Sequence, residues 1–182
     1  GQFDRPSGII FAADGSMYVS DTMNHRIQRL TSDGELIHTW GGQATGEGQF
    51  RSPWGVNLDG EGNVFVADHR NHRIQKFAKD GKFLVGFGGF GDGEGRFNMP
   101  WGIALDKEGR IFIADWRNDR IQQFNKDGKF LMKFGASGKG NGEFSRPTGV
   151  AVDTEGLIYV TDWNNDRLQI FDVDGQYITQ II

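Results

Sequence analysis

Residues 53–75 read PWGVNLDGEGNVFVADHRNHRIQ, and this stretch determines the fold. The segment Gly55–Leu58 alternates apolar and small polar residues, as a strand does, and residues 59–62 have the composition of a tight turn. Val64–Ala67 is a β-branched and aromatic run bounded by that turn and by Asp68, which indicates a buried strand. The stretch therefore predicts two antiparallel strands joined by a short turn.

Two further strands follow this pair. Arg73–Phe77 is predicted as a third strand with one polar side, Lys79–Gly81 supplies the positive φ of a hairpin turn, and Phe83–Val85 is an apolar fourth strand. No part of the unit has the period of a helix. Four short antiparallel strands, expected to decrease in burial from first to last, are typical of a β-propeller blade. The continuous apolar second strand fits this prediction, because neighbouring blades cover both faces of a blade.

The unit occurs four times at a constant interval of 47 residues. One proline, one aspartate and one arginine of each copy keep that interval: Pro6, Pro53, Pro100 and Pro147; Asp21, Asp68, Asp115 and Asp162; Arg26, Arg73, Arg120 and Arg167. A fixed period without insertions indicates one supersecondary unit stacked on itself, because no copy buries its apolar surface alone. We therefore predict a single repeat array of four blades, residues 1–47, 48–94, 95–141 and 142–182.

The repeated motif resembles that of the NHL repeat family of β-propellers. The residues that carry the resemblance in the second copy are Pro53, Gly55, Asp68, Asn71, Arg73, Ile74 and Gln75. The resemblance covers all four copies and implies a propeller that usually has six blades. It also implies a binding platform for proteins or single-stranded RNA, whereas a minority of relatives are lyases with metal sites.

Composition narrows the classes of partner. The chain of 182 residues is 37% hydrophobic and 13% aromatic, which is enough apolar surface for a sizeable core. Its formal net charge of -4 argues mildly against nucleic acid, since proteins that bind nucleic acid usually carry a basic excess. The sequence contains no cysteine, which excludes a disulfide framework. No apolar run approaches the roughly 20 residues of a membrane span, so no membrane partner is predicted.

Glycine-rich residues 86–95 have spacings like those of phosphate-binding loops. Such loops open a helix whose N-terminus holds the anion, whereas here a strand follows. We therefore read the segment as a connector between blades and predict no cofactor.

The repeated acidic and basic residues of the loop between the second and third strands form a structural motif. Its members are Asp21, Arg26, Asp68, Arg73, Asp115, Arg120, Asp162 and Arg167. In each copy the aspartate ends the second strand and the arginine begins the third, so a charge-assisted hydrogen bond can brace the loop. Because a catalytic constellation is normally assembled once, occurrence in all four copies favours a structural role.

Metal-dependent chemistry has weaker support. His25 and His72 occupy equivalent positions, which Asp119 and Asp166 take in the later copies. Metal ligands must converge to about 2–2.5 Å from one ion, and loops of separate blades are expected to diverge. Positions between apolar residues of the first strands are Ile10, Asn57, Ala104 and Ala151; if they line a channel, it holds no carboxylate. We predict no metal and no catalytic residue, and a lyase or lactonase enzyme is the competing hypothesis.

Aromatic and basic residues at one end of the blades are the candidate binding surface. Successive strands reverse direction, so the entry to each first strand and the loop after each second strand lie at the same end. The predicted ligand-binding residues are Trp54, Trp101, Trp116, Trp163, Arg70, Arg117, His25, His69 and His72. Trp and Arg dominate binding hot spots, because they combine large contact area with directional hydrogen bonds. The alternative is that Trp54 and Trp101 fill space between blades and that Trp116 and Trp163 cover loops.

The partner expected at this surface is a protein, peptide or glycan. The charges assigned to this end nearly cancel, so single-stranded RNA stacked on Trp and Arg is the second hypothesis. The two terminal blades are each expected to leave an apolar face uncovered, which predicts a homo-oligomer or a place within a longer propeller.

Overall fold

The computed structural model describes residues 2–182 and is an all-β structure of four sheets. The first blade contains β1 (Pro6–Phe11), β2 (Met17–Asp21), β3 (Arg26–Leu30) and β4 (Leu36–Gly41). The second contains β5 (Pro53–Leu58), β6 (Val64–Asp68), β7 (Arg73–Phe77) and β8 (Phe83–Gly88). The third contains β9 (Pro100–Leu105), β10 (Ile111–Asp115), β11 (Arg120–Phe124) and β12 (Phe130–Phe134). The fourth contains β13 (Pro147–Val152), β14 (Ile158–Asp162), β15 (Arg167–Phe171) and β16 (Tyr177–Ile181).

Each sheet is built from four consecutive strands, all antiparallel and in sequence order. The prediction of four four-stranded propeller blades is therefore confirmed. The blades are arranged in two compact units, one that ends at Gly88 and one that spans Gly89–Ile182. No helix in the part of the chain described is long and apolar enough to cross a membrane.

The order of burial among the strands differs from the expected one. In the second and third blades the second strand, β6 or β10, is buried at every position, whereas the first strand, β5 or β9, is only partly buried. The expected decrease from first to last strand is therefore wrong. A second strand has a hydrogen-bonded neighbour on each side, whereas a first strand lies at the edge of its sheet.

A short 3₁₀ turn follows each second strand, which the sequence interpretation missed. The turns are Thr22–Asn24, His69–Asn71, Trp116–Asn118 and Trp163–Asn165. The residue that follows each turn has the left-handed backbone conformation. These residues are His25, His72, Asp119 and Asp166, with φ between 51° and 55°. Asn, Asp and His adopt this conformation more readily than other side chains, so the turn chemistry is local. Three residues are too few to produce a helical period in the sequence.

Each unit has an apolar core between its two blades. In the first unit Tyr18 and Ile27 of the first blade pack against Val56, Val64 and Phe77 of the second. In the second unit Phe112 and Ile121 pack with Val160 and Phe171 in the same way. Side chains of a strand alternate between the two faces of its sheet, and one face of each blade meets its partner.

This alternation corrects the interpretation of the first-strand positions. Ile10 packs within the core of the first unit and Ala104 is 4% exposed within the core of the second. The hypothesis that these positions line a channel is therefore wrong for Ile10 and Ala104. The side chains of a strand project from the two faces of its sheet, and a blade packs against its neighbour through one of these faces. The side chains of Ile10 and Ala104 therefore point toward the neighbouring blade.

A hydrogen-bond network around a buried aspartate anchors the connector that enters each blade. In the third blade Asp115 Oδ2 accepts bonds from Arg120 Nε at 2.8 Å, Asn118 Nδ2 at 2.8 Å and Gln122 Nε2 at 3.1 Å. Its Oδ1 accepts the backbone N–H of Asn98 at 2.8 Å. The Arg120 guanidinium donates in turn to three connector carbonyls: those of Asp92, Gly93 and Arg96.

The same network occurs in the other blades. Asp21, Asp68 and Asp162 are fully buried and accept bonds from Arg26, Arg73 and Arg167 at 2.7–2.8 Å. Burial raises the pKa of the Asp115 carboxyl group in spite of its donors. Burial also acts to raise the pKa of the Asp21 carboxyl group. There, hydrogen bonds from Asp4, Arg26 and Asn24 outweigh burial and hold that pKa below its usual range.

Candidate interaction surface

The strand register places the predicted binding residues at one end of each blade. The proline that begins the first strand lies opposite the aspartate that ends the second, as Pro53 does with Asp68 and Pro147 with Asp162. The entry to the first strand and the 3₁₀ turn are therefore neighbours. We call this end of a blade its loop end.

In the first unit, the loop end contains an open cavity of about 360 Å³. The rings of Trp54 and His69 lie against each other in its wall, with centroids 5.9 Å apart. The remaining lining residues are Arg5, Pro6, Ser7, Thr22, Met23, Ser52 and Arg70. Three of the predicted residues, Trp54, His69 and Arg70, therefore meet at one cavity. His69 is only 6% exposed, so its ring supports Trp54 more than it faces solvent.

His25 has a structural hydrogen bond at the same end. Its Nδ1 accepts the backbone N–H of Ser52 at 3.0 Å, and Ser52 has a left-handed φ of 54°. Burial lowers the pKa of His25, and the nearby charges of Arg70 and Arg51 lower it further. In the second unit Asp119 takes this role, since its Oδ1 accepts the backbone N–H of Arg146 at 2.8 Å.

Protonation of His25 is predicted to make the stability of the first unit depend on pH, and the equivalent residue Asp119 supplies the substitution that tests this. Because the folded-state pKa of His25 lies below the unfolded value of 6.5, its contribution to stability is complete above that pH and declines as the pH falls. We expect the first unit to unfold more readily at about pH 5.5 than at about pH 7.5. His25→Asp, which copies Asp119, should reduce that difference in denaturant titrations at both pH values. An unchanged difference would contradict this role for His25.

At the loop end of the second unit lies an aromatic and cationic cluster. The rings of Trp101 and Trp116 have centroids 5.3 Å apart. Two guanidinium groups lie over the Trp116 ring, that of Arg117 at 5.3 Å and that of Arg146 at 5.1 Å from its centroid. We call these four side chains the Trp116 cluster. Cation–π contacts of this kind hold both partners in a defined geometry.

The predicted set of binding residues omitted two arginines of this surface, although Arg146 was among the charges assigned to this end of the blades. Arg5 lines the cavity of the first unit and Arg146 contacts Trp116 in the second. Both precede the repeat proline and have positive φ, 47° and 60°. The signal that could have found them is this shared position in the repeat, next to the proline that begins the first strand.

The other predicted residues lie in or directly after 3₁₀ turns of the same kind. Trp163 is 59% exposed in the turn of the fourth blade, and His72 is half-buried at the end of its turn. Within residues 2–182, no group of three or more His, Asp or Glu side chains is placed to hold a metal ion.

Comparisons with known proteins identify the class and then the family. Residues 105–180 match a family described as a 6-bladed beta-propeller, and residues 50–77 match the NHL repeat. The four antiparallel blades and these matches define the chain as a β-propeller. Within that class it is an NHL-repeat propeller, as the sequence motif predicted.

Several solved structures share the fold. A streptogramin B lyase is 17% identical, with a TM-score of 0.76 over 96% of this chain and 53% of its own. An inactive virginiamycin B lyase from Staphylococcus aureus with quinupristin is 15% identical, with a TM-score of 0.76 over 100% and 56%. A gluconolactonase from Xanthomonas campestris is 18% identical, with a TM-score of 0.73 over 97% and 61%.

These similarities concern the fold alone. This chain spans little more than half the length of the two lyases. At 15–18% identity, the likeness shows a shared architecture, and one fold serves many unrelated functions. The comparison with curated proteins found no match.

Proposed function

We propose that this propeller is a non-catalytic scaffold that binds a protein or peptide segment at the loop ends of its blades. The observation that supports the proposal most directly is the Trp116 cluster, in which Trp116 and Arg117 of one turn lie with Trp101 of β9 and with Arg146, which precedes the fourth blade. Trp and Arg held in a fixed geometry lose little side-chain entropy on binding. They are also the residues most enriched at binding hot spots.

The chemistry of the cluster favours a segment that carries carboxylates beside an apolar side chain. Arg117 and Arg146 offer guanidinium groups, which bind carboxylates with paired hydrogen bonds. The neighbouring Trp101 ring is half-buried and offers apolar contact area. In the first unit, Arg5 and Arg70 line the same cavity as Trp54.

A peptide is a better match than single-stranded RNA for a physical reason. Bases bind by stacking on open aromatic faces, whereas the Trp116 ring already carries two guanidinium groups. The net charge of -4 also gives the chain no general attraction for a phosphate backbone.

We expect Trp116→Ala and Arg146→Ala each to weaken peptide binding about 30-fold, the equivalent of about 2 kcal/mol at a hot spot. The probe is a set of peptides selected from a random library on the unmodified protein, with affinities measured by fluorescence anisotropy. Selected sequences should be rich in Asp or Glu next to an aromatic or aliphatic residue. Lys126→Ala is the matched control, because the Lys126 turn joins β11 to β12 at the opposite end of the blade.

The same assay includes labelled oligouridine across a salt series. Tight RNA binding that weakens steeply with salt, without selection of any peptide, would contradict the proposal. Retained peptide affinity in both cluster variants would contradict the location of the site.

A further inference from the structure

The connector between the third and fourth blades contains the one Asn–Gly pair of the sequence, Asn141 and Gly142. Such a pair is prone to deamidation, because glycine has no side chain to hinder attack of its backbone nitrogen on the asparagine side chain. Asn141 is exposed to solvent, so water reaches its side-chain amide. The connector therefore carries a chemically labile pair whose surroundings decide how fast it reacts.

Deamidation begins at the backbone nitrogen of Gly142. This nitrogen loses its proton to base and attacks Cγ of Asn141, and the side-chain amide group leaves as ammonia after it takes up a proton from water. The product is a cyclic imide. Water then opens the imide at either C–N bond of the ring and gives aspartate or isoaspartate, so the net change is the exchange of an amide for a carboxylic acid. The reaction thus requires an available N–H at Gly142 and a turn that can rearrange.

In the structure, the N–H of Gly142 already has a hydrogen-bond partner. It donates to Oε1 of Gln169 at 2.9 Å, and Gln169 is a fully buried residue of β15. The amide oxygen of glutamine accepts this bond and so holds the proton that must leave before the nitrogen attacks. The bond therefore opposes the first step of the reaction.

Further hydrogen bonds from β15 fix the rest of the turn. Arg167 Nη2 donates to the carbonyl oxygens of Gly140 at 2.7 Å and Glu143 at 2.8 Å. Gln169 Nε2 donates to the same Glu143 carbonyl at 2.7 Å, and the N–H of Glu143 donates to the Gly140 carbonyl at 3.1 Å. Ring closure requires Gly142 to move away from Gln169, and these bonds resist that movement. The reaction is therefore expected from states in which the connector has opened locally.

The connectors that enter the second and third blades have the same hydrogen bond without the labile residue. Glu47 and Glu94 occupy the position equivalent to Asn141. The bond is therefore a general feature of the repeat, and its protective effect is specific to the fourth blade. The two equivalent bonds, each of 3.0 Å, join the N–H of Gly48 to Gln75 Oε1 and the N–H of Gly95 to Gln122 Oε1.

We propose that Asn141 is a deamidation site and that the hydrogen bond between Gly142 and Gln169 sets its rate in the folded chain. The aspartate product keeps the length of the backbone and introduces a carboxylate, which Glu47 and Glu94 already carry at the equivalent positions. The isoaspartate product adds a methylene group to the backbone, so it disturbs the spacing on which the bonds from β15 depend. The proposal is independent of the peptide site at the loop ends.

Mass spectrometry of peptides from the chain, taken during incubation at mildly alkaline pH, tests this proposal. We expect Asn141 of the folded, unmodified chain to deamidate at least about tenfold more slowly than the same residue in a synthetic peptide of residues 138–144. Gln169→Met removes the acceptor with little change in side-chain length and should accelerate the reaction of the folded chain at least about fivefold.

Gln122→Met is the matched control. Gln122 is equally buried in the same unit, and its replacement removes the equivalent bond at Gly95 while that at Gly142 stays in place. Equal acceleration by both substitutions would show that general loss of stability controls the reaction, which overturns the proposal. An unchanged rate in Gln169→Met also overturns it, and so do equal rates in the folded chain and the peptide.

Hydrogen exchange at the Gly142 amide of the unmodified chain gives a second test that needs no variant. We expect exchange at this amide to be slower than in the synthetic peptide, because its proton is bonded to Gln169. Exchange at the rate of the peptide would contradict the proposal even if Gln169→Met failed to fold.

Discussion

Replacement of Asp115 by alanine is expected to lower the free energy of unfolding of the second unit by about 3–5 kcal/mol. The carboxylate is fully buried and accepts four hydrogen bonds, one of them from a guanidinium group that is itself largely buried. Alanine would leave the Arg120 guanidinium group without its carboxylate partner and the backbone N–H of Asn98 without its hydrogen-bond acceptor. An unpaired buried charge is among the most destabilising changes in a protein interior.

The measurement is a denaturant titration followed by circular dichroism, with hydrogen exchange at the Asn98 amide as a local readout. Exchange at that amide should accelerate, because the Asp115 side chain is its hydrogen-bond acceptor. The control is Glu108→Ala in the same unit, where an ion pair with Arg110 at 3.3 Å lies at the surface. Exposed pairs of this kind contribute about 0–1 kcal/mol, so the control should change little. A loss below about 1 kcal/mol for Asp115→Ala would contradict the role of the network.

Gly8→Ala is expected to destabilise the first unit by about 2–3 kcal/mol. The added methyl group would contact the carbonyl oxygen of Trp54 and lie 3.2 Å from the backbone nitrogen of Val56. Both neighbours are backbone atoms of β5, so the two first strands would have to move apart. That movement would also open the core between the two blades, where close packing provides much of the stability.

Gly60→Ala is the matched control for Gly8→Ala, because a Cβ atom at Gly60 meets nothing within 4 Å. The control should be neutral or slightly stabilising, since alanine reduces the entropy of the unfolded chain. Denaturant titrations of both variants give the comparison. Equal effects of the two substitutions would show that the blades do not approach each other closely at Gly8.

Much of the fold was predictable because its signals are local and repeated. The alternation in Gly55–Leu58, the apolar run of Val64–Ala67 and the turn at Lys79–Gly81 each indicate an element without reference to the rest of the chain. The burial order was wrong because burial depends on which strands have neighbours, and a local pattern does not contain that information.

The candidate surface was predictable only in part. The sequence placed Trp116 and Arg117 in one loop, because they are adjacent. It gave no sign that Arg146 contacts the same ring, since that contact joins loops of two different blades. His25 was predicted as a binding residue, and only the structure shows that its Nδ1 accepts a backbone N–H of the next blade.

The amino-acid sequence by itself determined the number of blades, the strands within them and the NHL family, because a constant period of 47 residues repeats every local signal four times. The tertiary structure alone decided which side chains meet across blades. The physical reason is that these contacts depend on how one sheet packs on the next, and that packing is set by the shapes of whole faces.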